Sequence, residues 1–214
     1  MSSTELIYPR PLLFLARLIA IIFHPLLVGI YIAFYLIYIN PFYYAYVPRV
    51  NAFRNLLTVA NNNCVFPLLV VLLMRGLGFS KSFQLRTTKE RIVPYMASII
   101  FFFWTWNTFY HLQGIPQVMK DMTQGIFYAS VIGMIANIYF KISMHAMGVG
   151  GLVGMMIVVL FDGQMYSGLP LVTSLLIAGS VMTSRLMTAD HERGDILAGF
   201  IVGLFSQWIA AWII

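Results

Sequence analysis

Charged residues are scarce in this sequence. Only 9% of its 214 residues are Asp, Glu, Lys or Arg, whereas 60% are hydrophobic. A soluble domain carries roughly a quarter charged residues, so this composition excludes an ordinary soluble protein and favours an integral membrane protein. The sequence also has no long polar linker that would separate two domains. We therefore expect a single integral membrane domain over residues 1–214.

Cysteine is equally scarce, because Cys64 is the one cysteine in the sequence. A single cysteine excludes an internal disulfide and a cysteine-based metal cluster. The sequence also contains no Gly-rich phosphate loop, zinc motif or carboxylate-rich magnesium motif. We therefore expect chemistry without a metal or another cofactor. The net charge of +6 would suit the anionic headgroups of a lipid bilayer, and we expect the bilayer, not nucleic acid, as partner.

Long apolar runs fill most of the chain. A membrane-spanning helix needs about 20 mostly apolar residues, and this requirement predicts an all-α, polytopic bundle of about six to seven spanning helices. The candidate spans are residues 11–39, 55–74, 94–110, 125–140, 146–161, 169–183 and 196–214.

The connections that follow every second predicted span carry most of the polar residues. With seven spans, those connections lie on the same side of the membrane as the N-terminus. They are residues 81–91, 141–145 and 184–195. The span count therefore predicts that three polar segments meet at one membrane face.

Residues 184–195 combine several ionisable groups between two apolar runs, where charges are expensive and need a reason to be present. His191 and Asp195 are four residues apart and share one face of a helix. Asp195 could then hold one imidazole nitrogen and leave the other free to attack a substrate. Arg185 offers a planar fork for two phosphate oxygens. This combination suggests phosphate chemistry at a membrane surface; the alternative is a solvated loop with a local His–Asp pair.

The pattern Ser-Arg-x5-His-x3-Asp at residues 184–195, followed by Ala-Gly-x3-Gly at 198–203, closely resembles the third signature of the type 2 phosphatidic acid phosphatase superfamily. That superfamily consists largely of membrane phosphatases that act on lipid phosphates and pyrophosphates. The resemblance implies that His191 is a nucleophile that forms a phosphohistidine and that Asp195 orients it.

Residues 142–145 read Ile-Ser-Met-His and resemble the second signature of the family, Pro-Ser-Gly-His, with Pro and Gly replaced. The resemblance implies that His145 is the general acid that protonates the leaving oxygen and that Ser143 hydrogen-bonds the phosphoryl group. Lys141 adds a cation beside this segment. It is either a further phosphate ligand or a lysine that extends to the membrane interface.

The first signature of the family, Lys-x6-Arg-Pro, is absent. The nearest segment is 86–94, which has three cations and a proline just before an apolar run. Arg91 is the first choice for a phosphate ligand, followed by Arg86 and Lys89. The alternative is that these cations only flank a span on its cytoplasmic side.

The resemblance implies a metal-independent phosphatase for a phospholipid or polyprenyl phosphate, in a bacterial inner membrane. Two alternatives stay open: a non-catalytic lipid-binding or structural membrane protein on the same scaffold, and a lipid phosphotransferase that uses the same residues. The distribution of basic residues places the site toward the cytoplasm, whereas bacterial relatives implied by the resemblance commonly face the periplasm.

Two further features concern packing. His24 precedes Pro25 inside the first apolar run, and we expect a core histidine at a kink. Gly148, Gly151 and Gly154 recur every three residues and predict a close approach between helices.

Overall fold

The computed structural model describes residues 8–40, 42–78, 88–164, 167–189 and 191–213, without the side chains of 88–91. All regular structure in these ranges is helical. The α-helices are α1 (Arg10–Ile22), α2 (Pro25–Phe34), α3 (Arg49–Ala60), α4 (Phe66–Gly76), α5 (Thr88–His111), α6 (Gln117–Tyr139), α7 (Met144–Phe161), α8 (Leu169–Met187) and α9 (Arg193–Trp212). A π-helical turn at Tyr35–Ile39 extends α2, and a second one at Asn61–Val65 joins α3 to α4.

Five helical segments in the described residues are long and apolar enough to cross a membrane, namely Arg49–Gly76, Ile92–His111, Met144–Phe161, Leu169–Met187 and Arg193–Trp212. The α1–α2 pair, bent by 58° at its break, makes a sixth if it is counted as one span. The predicted all-α membrane bundle is therefore confirmed.

The predicted span at residues 125–140 falls in α6, which is not among these candidates. Helix α6 has 23 residues, so its length is sufficient. Its first half is polar, however, and places Asp121, Thr123 and Gln124 inside the bundle, where each is at least 92% buried. Asp121 accepts a hydrogen bond from the Gln117 amide at 2.7 Å. The bundle therefore contains this helix, but its composition differs from that of the other spans.

Helix α7 is the central helix, with 61% of its spanning window buried. It packs most closely on α9, where glycines bring the two backbones together. A β-carbon on Gly203 would overlap the Met147 carbonyl oxygen, and one on Gly154 would lie 2.6 Å from the Leu204 carbonyl oxygen. The predicted packing role of glycine is thus confirmed at Gly154, which faces α9, and at Gly148, which faces α2 and Pro25.

One end of the bundle gathers several helix termini. The Ser143 amide donates to the Asp195 carbonyl at 3.1 Å, which ties the start of α7 to the start of α9. Helices α6 and α8 end there, because residues 140–143 and 188–192 connect them to α7 and α9. The α1–α2 break also lies there, since the His145 ring contacts the Ala20 carbonyl. The candidate site lies at this end.

Candidate active site

The connection from α8 to α9 presents His191. Helix α8 ends in a tight turn in which Ala189 has a positive φ of 52°, a conformation that usually requires glycine. Helix α9 then begins with a capping box between Glu192 and Asp195. The Glu192 amide donates to Asp195 Oδ2 at 3.2 Å. Asp195 is therefore held by the helix terminus that it caps.

The Asp195 carboxylate also contacts His191. Its Oδ2 lies 3.4 Å from His191 Nδ1, and the two side chains are only 19% and 9% exposed. This distance is longer than that of a typical hydrogen bond, and the contact becomes an ion pair only when His191 is protonated. Because Nδ1 faces the carboxylate, Nε2 is the nitrogen left to attack a substrate. The predicted contact is therefore present, but the predicted shared helix face is not, because His191 lies before the N-cap of α9.

The pKa of His191 is lowered from its ordinary value. Burial is the largest cause, followed by the positive charges of Lys141 and Arg185, while Asp195 opposes the shift. Lys141 is exposed and lies near His191, as its electrostatic effect requires. A lowered pKa keeps His191 neutral, which is the form that can act as a nucleophile.

His145 lies in the first turn of α7. Its Nε2 lies 3.1 Å from the Ala20 carbonyl oxygen. Because a carbonyl can only accept, Nε2 carries a proton in this contact and Nδ1 is the nitrogen free to exchange one. Arg185, in the last turn of α8, interacts electrostatically with both His145 and His191. The structure therefore brings His145, from the segment 141–145, close to Arg185 and His191, from the segment 184–195.

Ser143 lies at the start of α7, where it acts as the N-cap. Its side chain is fully buried, and its Oγ accepts the Ala146 amide at 3.4 Å as the N-cap of α7. A hydroxyl in this position orders the start of the helix. Ser143 therefore has a structural role at the start of the helix that carries His145, and its predicted hydrogen bond to a phosphoryl group stays a prediction.

The third predicted segment is only partly described. Arg86 lies outside the described residues, and Lys89 and Arg91 lie in the first turn of α5 without described side chains. Pro94 lies inside α5 and lines a cavity that also contains His145. The part of α5 around Pro94 is therefore near the site. The phosphate contacts of Arg86, Lys89 and Arg91 stay predictions.

The cavity has a volume of about 430 Å³ and a mostly apolar lining. It lies between α2, the α3–α4 segment, α5, α6, α7 and α9, and both His24 and His145 line it. An apolar cavity next to a polar site is typical of a site for an amphiphilic ligand. Within the part of the chain that the structure describes, no three His, Cys, Asp or Glu side chains are grouped to hold a metal ion.

His24 is the residue that sequence reasoning missed. The sequence indicates a core histidine at a kink, and the break between α1 and α2 is indeed there. The side chain is exposed, however, and its ring is 5.4 Å from the ring of His145. The one signal in the sequence is the His-Pro pair, which is typical of a helix N-terminus and says nothing about a distant partner.

Comparisons with known proteins found no protein similar to this chain. No family model matches the chain, and neither a curated protein nor a solved structure is significantly similar to it.

Proposed function

We propose that this protein is a membrane-embedded phosphatase that hydrolyses a lipid phosphate or pyrophosphate through a phosphohistidine, as a member of the type 2 phosphatidic acid phosphatase superfamily in a bacterial inner membrane. One observation carries the proposal. Arg185, His191 and Asp195 of one segment lie near His145 of another, beside an apolar cavity that His145 lines.

In the first step, His191 Nε2 attacks the phosphorus while Asp195 stabilises the imidazolium that forms. A P–N bond forms and the P–O bond to the lipid breaks. The leaving oxygen takes a proton from His145 Nδ1, because Nε2 of that ring is bonded to the Ala20 carbonyl. A phosphate dianion bound beside His145 favours the doubly protonated ring that this step needs.

In the second step, water attacks the phosphohistidine. His145 Nδ1 now takes a proton from the water, the P–N bond breaks, and inorganic phosphate leaves. Both histidines return to their starting protonation states after the proton taken up with the substrate is released. The water therefore supplies the oxygen of the product phosphate.

Arg185 binds the equatorial oxygens of the phosphoryl group, where most catalysis of phosphoryl transfer resides. Lys141 supplies a second positive charge near His191. Lys89, Arg91 and Arg86 are further candidates for this clamp. The apolar cavity takes the lipid chain next to His145, so the leaving oxygen is near its proton donor.

The test is a phosphate-release screen of purified protein on phosphatidate, phosphatidylglycerol phosphate, polyprenyl pyrophosphate and lipid A. We expect His191→Ala to abolish release and the acid-labile phosphoenzyme. The matched control is His111→Ala, since His111 is exposed at the other end of α5 and bonds its own helix at Asn107. Full activity of His191→Ala would refute the proposal.

His145→Ala provides a sharper test of the two roles. An aryl phosphate has a good leaving group that needs no proton. His145→Ala should therefore still form the phosphoenzyme when an aryl phosphate is the substrate. Its hydrolysis should be slow, and the phosphoenzyme should accumulate. Binding of a lipid phosphate without turnover by the wild type would favour a non-catalytic lipid-binding protein. Transfer of the phosphoryl group to a lipid acceptor would favour a phosphotransferase.

A further inference from the structure

The break between α1 and α2 has a defined structure around His24. The Nδ1 atom of His24 accepts the Leu26 amide at 3.3 Å and thereby caps α2. Pro25 follows as the first helical residue, where its missing N–H costs nothing. Because Nδ1 accepts a hydrogen bond, the neutral ring carries its proton on Nε2. The His24 ring is thus held in one orientation by the helix that it caps.

Two residues at this break, His24 and Ala20, contact the ring of His145. The His24 and His145 rings meet edge to face at 83°, with centroids 5.4 Å apart. The Ala20 carbonyl contacts Nε2 of the same ring at 3.1 Å. Gly148 permits the close packing of α7 against α2, because a β-carbon there would lie 3.3 Å from Pro25 Cα. The start of α2 therefore packs directly against the first turns of α7.

We propose that His24 is a positioning residue for His145 and that residues 20–25 form a fourth part of the site, a role that depends on the proposed phosphatase function. The Ala20 carbonyl selects the His145 tautomer whose Nδ1 exchanges the proton. The His24 ring fills the space into which His145 would otherwise turn. Without that ring, His145 rotates away from Ala20, and Nδ1 no longer points at the leaving oxygen.

Two substitutions separate this role from simple helix capping. His24→Asn keeps a good N-cap and removes the ring. His24→Phe keeps a ring of similar shape and removes the cap. We expect His24→Asn to lower kcat by about ten- to a hundredfold with KM unchanged, as a small misplacement of a reacting group does. We expect His24→Phe to retain most of kcat and to have a lower Tm.

The opposite pattern would overturn the proposal. If His24→Asn matches the wild type and only His24→Phe is impaired, His24 is a helix cap. If both variants raise KM, the residue binds substrate directly. A double-mutant cycle adds a third criterion: in a His145→Ala background, His24→Asn should cause no further loss, because its effect passes through His145. A further loss of the same size would contradict positioning.

A measurement without substrate keeps this proposal separate from the proposed function. In ¹⁵N spectra of histidine-labelled protein, wild-type His145 should remain the Nε2–H tautomer when neutral. His24→Asn should give a mixture of both tautomers. If the wild type releases no phosphate from any lipid, the phosphatase proposal fails while this test still applies. An unchanged His145 spectrum in His24→Asn would overturn the positioning role itself.

Discussion

Asp195 connects the chemistry of the site to the stability of α9, and replacing it with asparagine separates the two. The carboxylate caps α9 through the Glu192 amide and faces His191 Nδ1 at 3.4 Å. Oδ2 makes both contacts, so an asparagine that places its oxygen there still accepts the Glu192 amide and still faces His191 Nδ1, but it has no negative charge to stabilise the imidazolium. Asp195→Asn should therefore impair catalysis much more than folding.

The expected magnitude follows from the interaction that is lost. A hydrogen bond to a charged group contributes about 1.5–3 kcal/mol, which corresponds to a decrease in kcat of roughly 10- to 150-fold. The imidazolium forms only during the reaction, so KM should change little. The lost charge at the helix N-terminus should lower the free energy of unfolding by about 0.3–1 kcal/mol. Phosphate release and thermal unfolding in detergent measure the two effects.

Two further variants calibrate this result. Asp195→Ala removes the cap as well and should cost about 1 kcal/mol more in stability. Glu192→Gln removes a neighbouring exposed charge without touching His191, and its kcat should equal that of the wild type. The reasoning is refuted if Asp195→Asn keeps kcat within about twofold of the wild type while remaining folded, because the carboxylate would then have no catalytic role beyond its cap.

Three further predictions follow from the structure. The lowered pKa of His191 places the acid limb of kcat/KM below pH 6.5, and Lys141→Gln should move that limb to higher pH; an unchanged pH profile would contradict the electrostatic coupling. Gly203→Ala should destabilise the α7–α9 contact by about 1–3 kcal/mol, whereas the control Gly179→Ala meets nothing within 4 Å and should retain the wild-type Tm or raise it. Ala189→Gly should relieve the positive φ and raise stability by about 1 kcal/mol; a lower Tm would show that Ala189 is not strained.

The all-α membrane bundle could be predicted because the hydrophobic composition of the sequence determines it. Long apolar runs can bury their backbone polar groups in a bilayer only as helices, and the predicted spans match the helices to within a few residues at many ends. The bend in the first span was harder to predict. Residues 11–39 are apolar throughout, but Pro25 cannot continue the hydrogen bonding of α1, and α2 restarts at an angle of 58°.

The site was predictable where its residues are close in sequence. The spacing predicts a contact between His191 and Asp195, and the structure has them at 3.4 Å, although His191 precedes the N-cap of α9 and does not share a helix face with Asp195. The partners of His145 could not be predicted in this way. One is the Ala20 backbone carbonyl, which carries no sequence signal, and the other is His24, more than a hundred residues away. The pattern predicts that Ser143 binds the phosphate, but it does not indicate that the Ser143 hydroxyl also satisfies an orphan amide of α7.

Under the proposed function, the charges of the described side chains around His191 explain how one site could use His191 as nucleophile and His145 as acid. Arg185 and Lys141 are positive and Asp195 is negative, and the lowered pKa keeps His191 neutral. The site therefore has an excess of positive charge, which would attract a phosphate group and opposes protonation of His191. Under the proposed function, a bound dianion would reverse that balance and favour protonation of His145 next to it. Substrate binding would then create the acid that the first step consumes, and release of phosphate would restore the neutral histidine.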